Sequence, residues 1–108
     1  NDFLRRMNDG DTRANIRRIC EQAQAGGAQV LLIAVPALSA AALLAGSLSD
    51  HPLYEEIADS LRLPLHAKGW STVLANAALR SDQIHSNAQG YELFARGLAD
   101  AARTAQLL

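Results

Sequence analysis

The chain has 108 residues, 49% of them apolar, a formal charge of −1 and a single cysteine. That length supports one small domain with a real core, and the charge leaves neither a basic footprint for nucleic acid nor a polybasic patch for a membrane surface. A lone cysteine excludes an internal disulfide and a thiolate zinc cluster.

The sequence starts at Asn1 with no charged leader and apolar segment ahead of the domain, so the chain is expected to be a mature product, a fragment or the ordered part of something longer. From Asp11 the pattern turns helical. Ile16, Ile19, Cys20 and Ala23 recur at i, i+3, i+4 and i+7 and predict one buried face, with Arg13, Arg17 and Arg18 in solvent. Asp9 or Asp11 is the expected cap, and Gly26 and Gly27 the end. Cys20 on that face reads as an ordinary buried thiol, with a cysteine nucleophile paired to a histidine as the alternative. The run "AQVLLIAVP", residues 28–36, is stopped by Pro36 and predicts a central parallel strand buried on both faces.

Residues 37–50, "ALSAAALLAGSLSD", extend this run into an uncharged stretch over 30–48, near the length that spans a bilayer. Pro36, Ser39, Gly46 and Ser47 interrupt it, which favours a strand followed by a loop or short helix over a pocket. Asp50 and Pro52 open a second amphipathic helix with Leu53, Ile57 and Leu61 inward. "LRLPLH", residues 61–66, predicts a short edge strand, since Pro64 is tolerated only there. A helix is expected over 70–79. The last helix is expected from about Asn87 towards Thr104, burying Tyr91, Phe94, Leu98 and Ala102. The order helix–strand–helix–strand–helix belongs to a parallel α/β sheet, and nothing divides residues 1–108 into more than one domain.

The stretch that carries chemistry is "SDQIHSNAQGYELFARGLA", residues 81–99. Ser86 and Gln89 form an S-x-x-Q capping box, which starts the last helix and leaves His85 as the last loop residue. Asp82, three residues earlier, is placed to accept the imidazole Nδ1 proton and to hold Nε2 towards a nucleophile. Taken alone, D-x-x-H is a common chance pattern, and a loop histidine is as readily a surface or capping residue.

The longer string "SDQIHSNAQGY" resembles the C-terminal signature of the GDSL, or SGNH, hydrolases, D-x-I-H-P-N-x-x-G-Y, particularly the bacterial arylesterase, acyl-CoA thioesterase I and lysophospholipase group. Asp82, Ile84, His85, Asn87, Gly90 and Tyr91 match it. Ser86 stands where the signature has proline, and both residue types can begin a helix. "NDFLRR", residues 1–6, looks like the family's G-G-N-D block cut before its asparagine, and "DTRANIRRICEQAQAGGAQVLLIAVP" resembles the helix and strand that follow that block. The resemblance implies an α/β fold, the C-terminal part of a flavodoxin-like, three-layer SGNH domain with a parallel sheet.

It also implies a Ser-Asp-His triad in which Asp82 and His85 are acid and base, with Asn1 donating to the oxyanion. Residues 2–10 correspond to the mobile loop beside the acyl pocket, where Phe3, Leu4 and Met7 either contact substrate or simply pack on the core. The family's G-D-S serine and oxyanion-hole glycine have no counterpart in this sequence; Ser39, Ser47, Ser49, Ser60, Ser71, Ser81 and Ser86 all lack that context. The expected parent is therefore a serine esterase or thioesterase acting on an arylester, acyl-CoA or lysophospholipid, with no metal or organic cofactor. The 108-residue chain alone is expected to be inactive. Its expected partner is the N-terminal portion of the same protein, or a second copy, covering an otherwise open strand edge; neither nucleic acid nor stable membrane insertion is expected. Relatives of this kind are often periplasmic or secreted, with the cytoplasm left open. Two other readings remain: a non-catalytic piece acting in assembly or binding, and a membrane-inserted fragment built on 30–48.

Overall fold

The computed structural model describes residues 9–45, 47–82 and 84–107. Asn1, Phe3, Leu4 and Met7 lie outside them. Helix α1 (Asp9–Ala25) contains Asp11 in its first turn, so that residue is not the cap. Its inner stripe is Thr12, Ile16 and Cys20, spaced by one turn each, with Thr12 and Cys20 buried. Ile19, expected on that stripe, is 65% exposed, because no described element covers that side of the helix. Arg13 and Arg17 do not face solvent freely. Arg13 Nη2 pairs with Glu56 at 3.0 Å, and Arg17 Nη2 donates to Ser60 Oγ at 2.9 Å, both on the neighbouring helix α3 (Pro52–Leu61).

The apolar run 28–36 forms a ladder only at β1 (Leu32–Ile33), which pairs in parallel with β2 (Leu65–His66) in the register Leu32↔Leu65 and Ile33↔His66. Successive strand residues alternate in both side-chain face and N–H direction. The N–H groups of Leu32 and Ala34 donate to Pro64 and His66 carbonyls, so those of Ile33 and Val35 point to the other edge, where no described strand pairs. The expectation of a strand buried on both faces is corrected accordingly: Leu32 and Ala34 are buried, whereas Leu31, Ile33 and Val35 are half-buried on an edge strand.

Helices lie on both faces of this small sheet. Leu32, Ala34 and Leu65 pack with Cys20, Leu53, Tyr54, Ile57 and Ala58 of α1 and α3. His66, on the opposite face, rests against Phe94 of α5 (Ala88–Thr104), ring centroids 5.5 Å apart. The architecture is thus mixed α/β with a two-stranded parallel sheet. Between the strands, α2 (Ala40–Ala45) is a six-residue helix whose Leu44 is 85% exposed. Among the described residues no helix is long and apolar enough to cross a membrane.

Helix α3 follows its sequence pattern. Pro52 occupies the first turn, the preceding His51 caps it by accepting the Leu53 N–H at its Nδ1 (3.1 Å), and Leu53 and Ile57 are fully buried. Asp50, expected to open this helix, does something else. Its carboxylate accepts the Lys68 N–H (2.6 Å) and the Ser71 hydroxyl (2.5 Å), and its backbone bridges Pro36, joining the segments that leave β1 and β2. Ser71 belongs to α4 (Gly69–Ala75), which ends at Asn76 before a short 3₁₀ turn (Ala77–Leu79). The helix expected over 70–79 is therefore broken in two.

Helix α5 is capped by Asn87 rather than by Ser86. Asn87 Oδ1 accepts the Gly90 N–H and its Nδ2 donates to the Ala78 carbonyl, both at 2.9 Å. The Ser86 hydroxyl instead donates to the Leu79 and Asn87 carbonyls and is buried, so the S-x-x-Q box is not formed. Tyr91, expected inside, is 54% exposed, while Phe94, Leu98 and Ala102 are half-buried.

The two glycines of α5 predict opposite responses to alanine. A Cβ at Gly90 would overlap the Leu79 carbonyl oxygen and Ser86 Oγ and press on Val73 Cγ1 at 2.8 Å; one at Gly97 would meet His66 at an ordinary 3.6 Å. Gly90→Ala is expected to destabilise the fold by about 1–3 kcal/mol through overpacking. Gly97→Ala is expected to stabilise it by up to about 1 kcal/mol, the helix-propensity difference. Urea unfolding of both variants checks the signs. Hydrogen exchange on the 108-residue chain checks the open edge: the Ile33 and Val35 amides should exchange much faster than those of Leu32 and Ala34.

Candidate functional site

Asp82 and His85 occupy a tight turn closed by an antiparallel bridge between Arg80 and Ser86, with the Ser81 N–H donating to the His85 carbonyl at 2.9 Å. Within the turn, Asp82 Oδ1 accepts the Ile84 and His85 backbone N–H groups, each at 2.8 Å. This short-range side-chain-to-backbone pattern is what aspartate favours in turns. The same carboxylate meets the His85 ring: Nδ1 lies 3.0 Å from Oδ1 and 2.9 Å from Oδ2. A proton on Nδ1 donated to the carboxylate fixes the tautomer in which Nε2 carries the free lone pair. The expected pairing of Asp82 with His85 is thus present, and both side chains are more than half exposed (58% and 54%).

The Asp82 carboxyl is held below its ordinary value, first by the Ile84 N–H and then by the His85 ring, against a smaller opposing effect of desolvation. It therefore stays ionised throughout the range in which a histidine changes charge.

Beyond the ring, His85 forms part of the wall of an apolar hollow of about 190 Å³, together with Val35, Pro36, Leu38, Trp70, Ile84 and Tyr91. Three distant segments build it. The residues after β1 supply Val35 to Leu38, α4 supplies Trp70, and the turn with the start of α5 supplies the rest. The hollow opens at the C-terminal end of β1, where parallel α/β sheets place their ligands. Trp70 is held firmly: its ring stacks on Phe94 at 3.7 Å and 10°, and Tyr91 meets it edge-on at 5.8 Å. Its place in the wall was not read from the sequence, where the only signal was a lone tryptophan four residues before Leu74 on one helical face.

No nucleophile accompanies the pair among the described residues. The hydroxyls of Ser71, Ser81 and Ser86 are bound to Asp50, to the His85 and Ser86 carbonyls, and to the Leu79 and Asn87 carbonyls, respectively. Cys20 is 4% exposed inside α1, and burial, reinforced by Glu21, pushes its thiol up and keeps it protonated. Among the described residues, no group of three or more His, Cys, Asp or Glu is arranged to hold a metal ion. A larger depression of about 900 Å³ lies between α3 and α4, but it contains neither Asp82 nor His85, and Asp50 at its base is committed to Lys68 and Ser71. No protein-family profile, no curated protein and no solved structure matches this chain.

Because Asp82 is depressed in the folded state, the hydrogen bonds of the turn contribute fully above the carboxyl's unfolded value, near 4, and are lost only as pH falls through the lower folded value. An NMR titration following the Ile84 and His85 amides should give a midpoint below 3.8. A midpoint at or above that value would show that the carboxylate is not held by these donors.

Proposed function

We propose that this chain is the C-terminal part of an SGNH-type serine hydrolase cleaving carboxylic esters or thioesters, with Asp82 and His85 as two members of its triad. The observation that carries this reading is the two-oxygen contact of Asp82 with His85 Nδ1, on a ring that lines an apolar hollow at the C-terminal end of a parallel strand.

In this reading the nucleophilic serine comes from a part of the protein outside these 108 residues. His85 Nε2 takes the serine proton as the hydroxyl attacks the ester carbonyl, and returns it to the leaving alcohol or thiol. Asp82 stabilises the imidazolium formed between those two steps. Asn1 supplies an amide donor to the tetrahedral oxyanion, the role its position in the N-D block suggests. The unpaired edge of β1, with Ile33 and Val35 half-buried along it, is where the companion portion adds its strand. Such a hydrolase needs no metal or organic cofactor, and the resemblance favours a periplasmic or secreted location.

The test is hydrolysis of a chromogenic acetate ester by the protein at its natural length. His85→Ala should remove the activity. Asp82→Asn should lower kcat by roughly 10³–10⁴-fold, because an amide nitrogen facing Nδ1 enforces the opposite tautomer. The turn should survive that change, since the amide oxygen in the Oδ1 position still accepts both backbone donors, and unchanged Ile84 and His85 amide shifts would show it. Hydrolysis indifferent to His85 would refute the assignment. A folded, natural-length protein with no hydrolysis at all would leave assembly or binding as its role.

A further inference from the structure

We infer that the hollow beside His85 is a subsite for one apolar group of about the size of a single aromatic ring, with Leu38 and Trp70 as two of its walls. The inference rests on the esterase reading and points to esters that carry an aryl or a short apolar group beside His85.

Three observations support it. The first is size: the hollow holds about 190 Å³ and is open on one side, which gives room for one aromatic ring against its walls. The second is chemistry. Apart from His85 and Ser86 the lining is carbon-rich, and the Ser86 hydroxyl is already bound to carbonyl oxygens, which suits an apolar group. The third is rigidity. Phe94 covers one face of Trp70, Tyr91 abuts it edge-on, and Pro36 and Leu74 are buried, so these walls are held in place.

Leu38 is the residue to vary. It is half-buried on the segment after Pro36, outside every helix and strand, so its replacement does not disturb the core. Leu38→Trp fills the hollow and Leu38→Ala enlarges it.

The experiment has a binding arm and a kinetic arm, both on the protein at its natural length. In the first, phenol is titrated into ¹⁵N-labelled protein. The Trp70 indole N–H should shift in a saturable way, and Leu38→Trp should raise the phenol Kd by about tenfold or more. A Trp70 signal that does not move, or an affinity unchanged in Leu38→Trp, overturns the inference whether or not the protein is an esterase. In the second arm, Leu38→Trp should lower kcat/KM for phenyl acetate relative to methyl acetate by about tenfold, mainly through KM, and Leu38→Ala should shift preference towards bulkier esters. His85-dependent hydrolysis with an unmoved ratio overturns the inference and leaves the esterase reading standing. Phenol binding that responds to Leu38, without any His85-dependent hydrolysis, overturns the esterase reading and leaves the subsite as a ligand site.

Discussion

The rest of the structure depends on the carboxylate of Asp50. A parallel ladder of two residues per strand holds little by itself, and the strands here are followed by segments that leave in different directions. Asp50 fastens those segments. It accepts the backbone N–H of Lys68 and the hydroxyl of Ser71, and its own backbone bridges Pro36. Lys68 adopts a left-handed conformation (φ 63°) that a side chain resists by roughly 1–2 kcal/mol, and the Asp50 bond offsets that cost. Helix α4 is thereby fixed relative to the end of β1, and with α4 comes Trp70. The hollow beside His85 exists because one carboxylate joins its two far walls.

The turn carrying His85 is built on a second carboxylate used in the same way. Both Asp50 and Asp82 lie in irregular backbone, both accept main-chain N–H groups at 2.6–2.8 Å, and each holds one side chain besides. The candidate site is thus shaped by polar bonds at the end of a sheet, while the apolar core of Leu53, Ile57 and Cys20 lies on the sheet face bearing α1 and α3. Core and site can vary with some independence, as is common where loops carry function on a fixed scaffold.

What was legible in the sequence divides along the same line. Helix α3 was readable because Pro52, Leu53 and Ile57 combine a start signal with a helical period, and packing agrees with both. The Asp82–His85 pair was readable because its two members are three residues apart and meet through local bonds. Ser86 and Asn87 are both good cap residues, and the choice between them fell to Asn87 because its carboxamide satisfies Gly90 on one side and Ala78 on the other. Spacing alone does not carry that information. The extent of β1 depends on how many neighbours a strand has, which an apolar run does not encode, and Ile19 follows the same logic on α1. The hollow was least legible of all, since Leu38, Trp70 and Ile84 come together only through the Asp50 clasp and the start of α5.

The two oxygens of Asp82 have different duties. Oδ1 serves two backbone donors and the ring, whereas Oδ2 serves the ring alone. Holding the turn and orienting the ring are therefore separable at this position by one atom. Under the esterase reading proposed above, a lineage released from hydrolysis could exchange aspartate for asparagine, keep its turn and its fold, and persist as a silent descendant. In such a descendant the histidine would still be in place, but its Nε2 would already bear a proton and could not take one from a nucleophile.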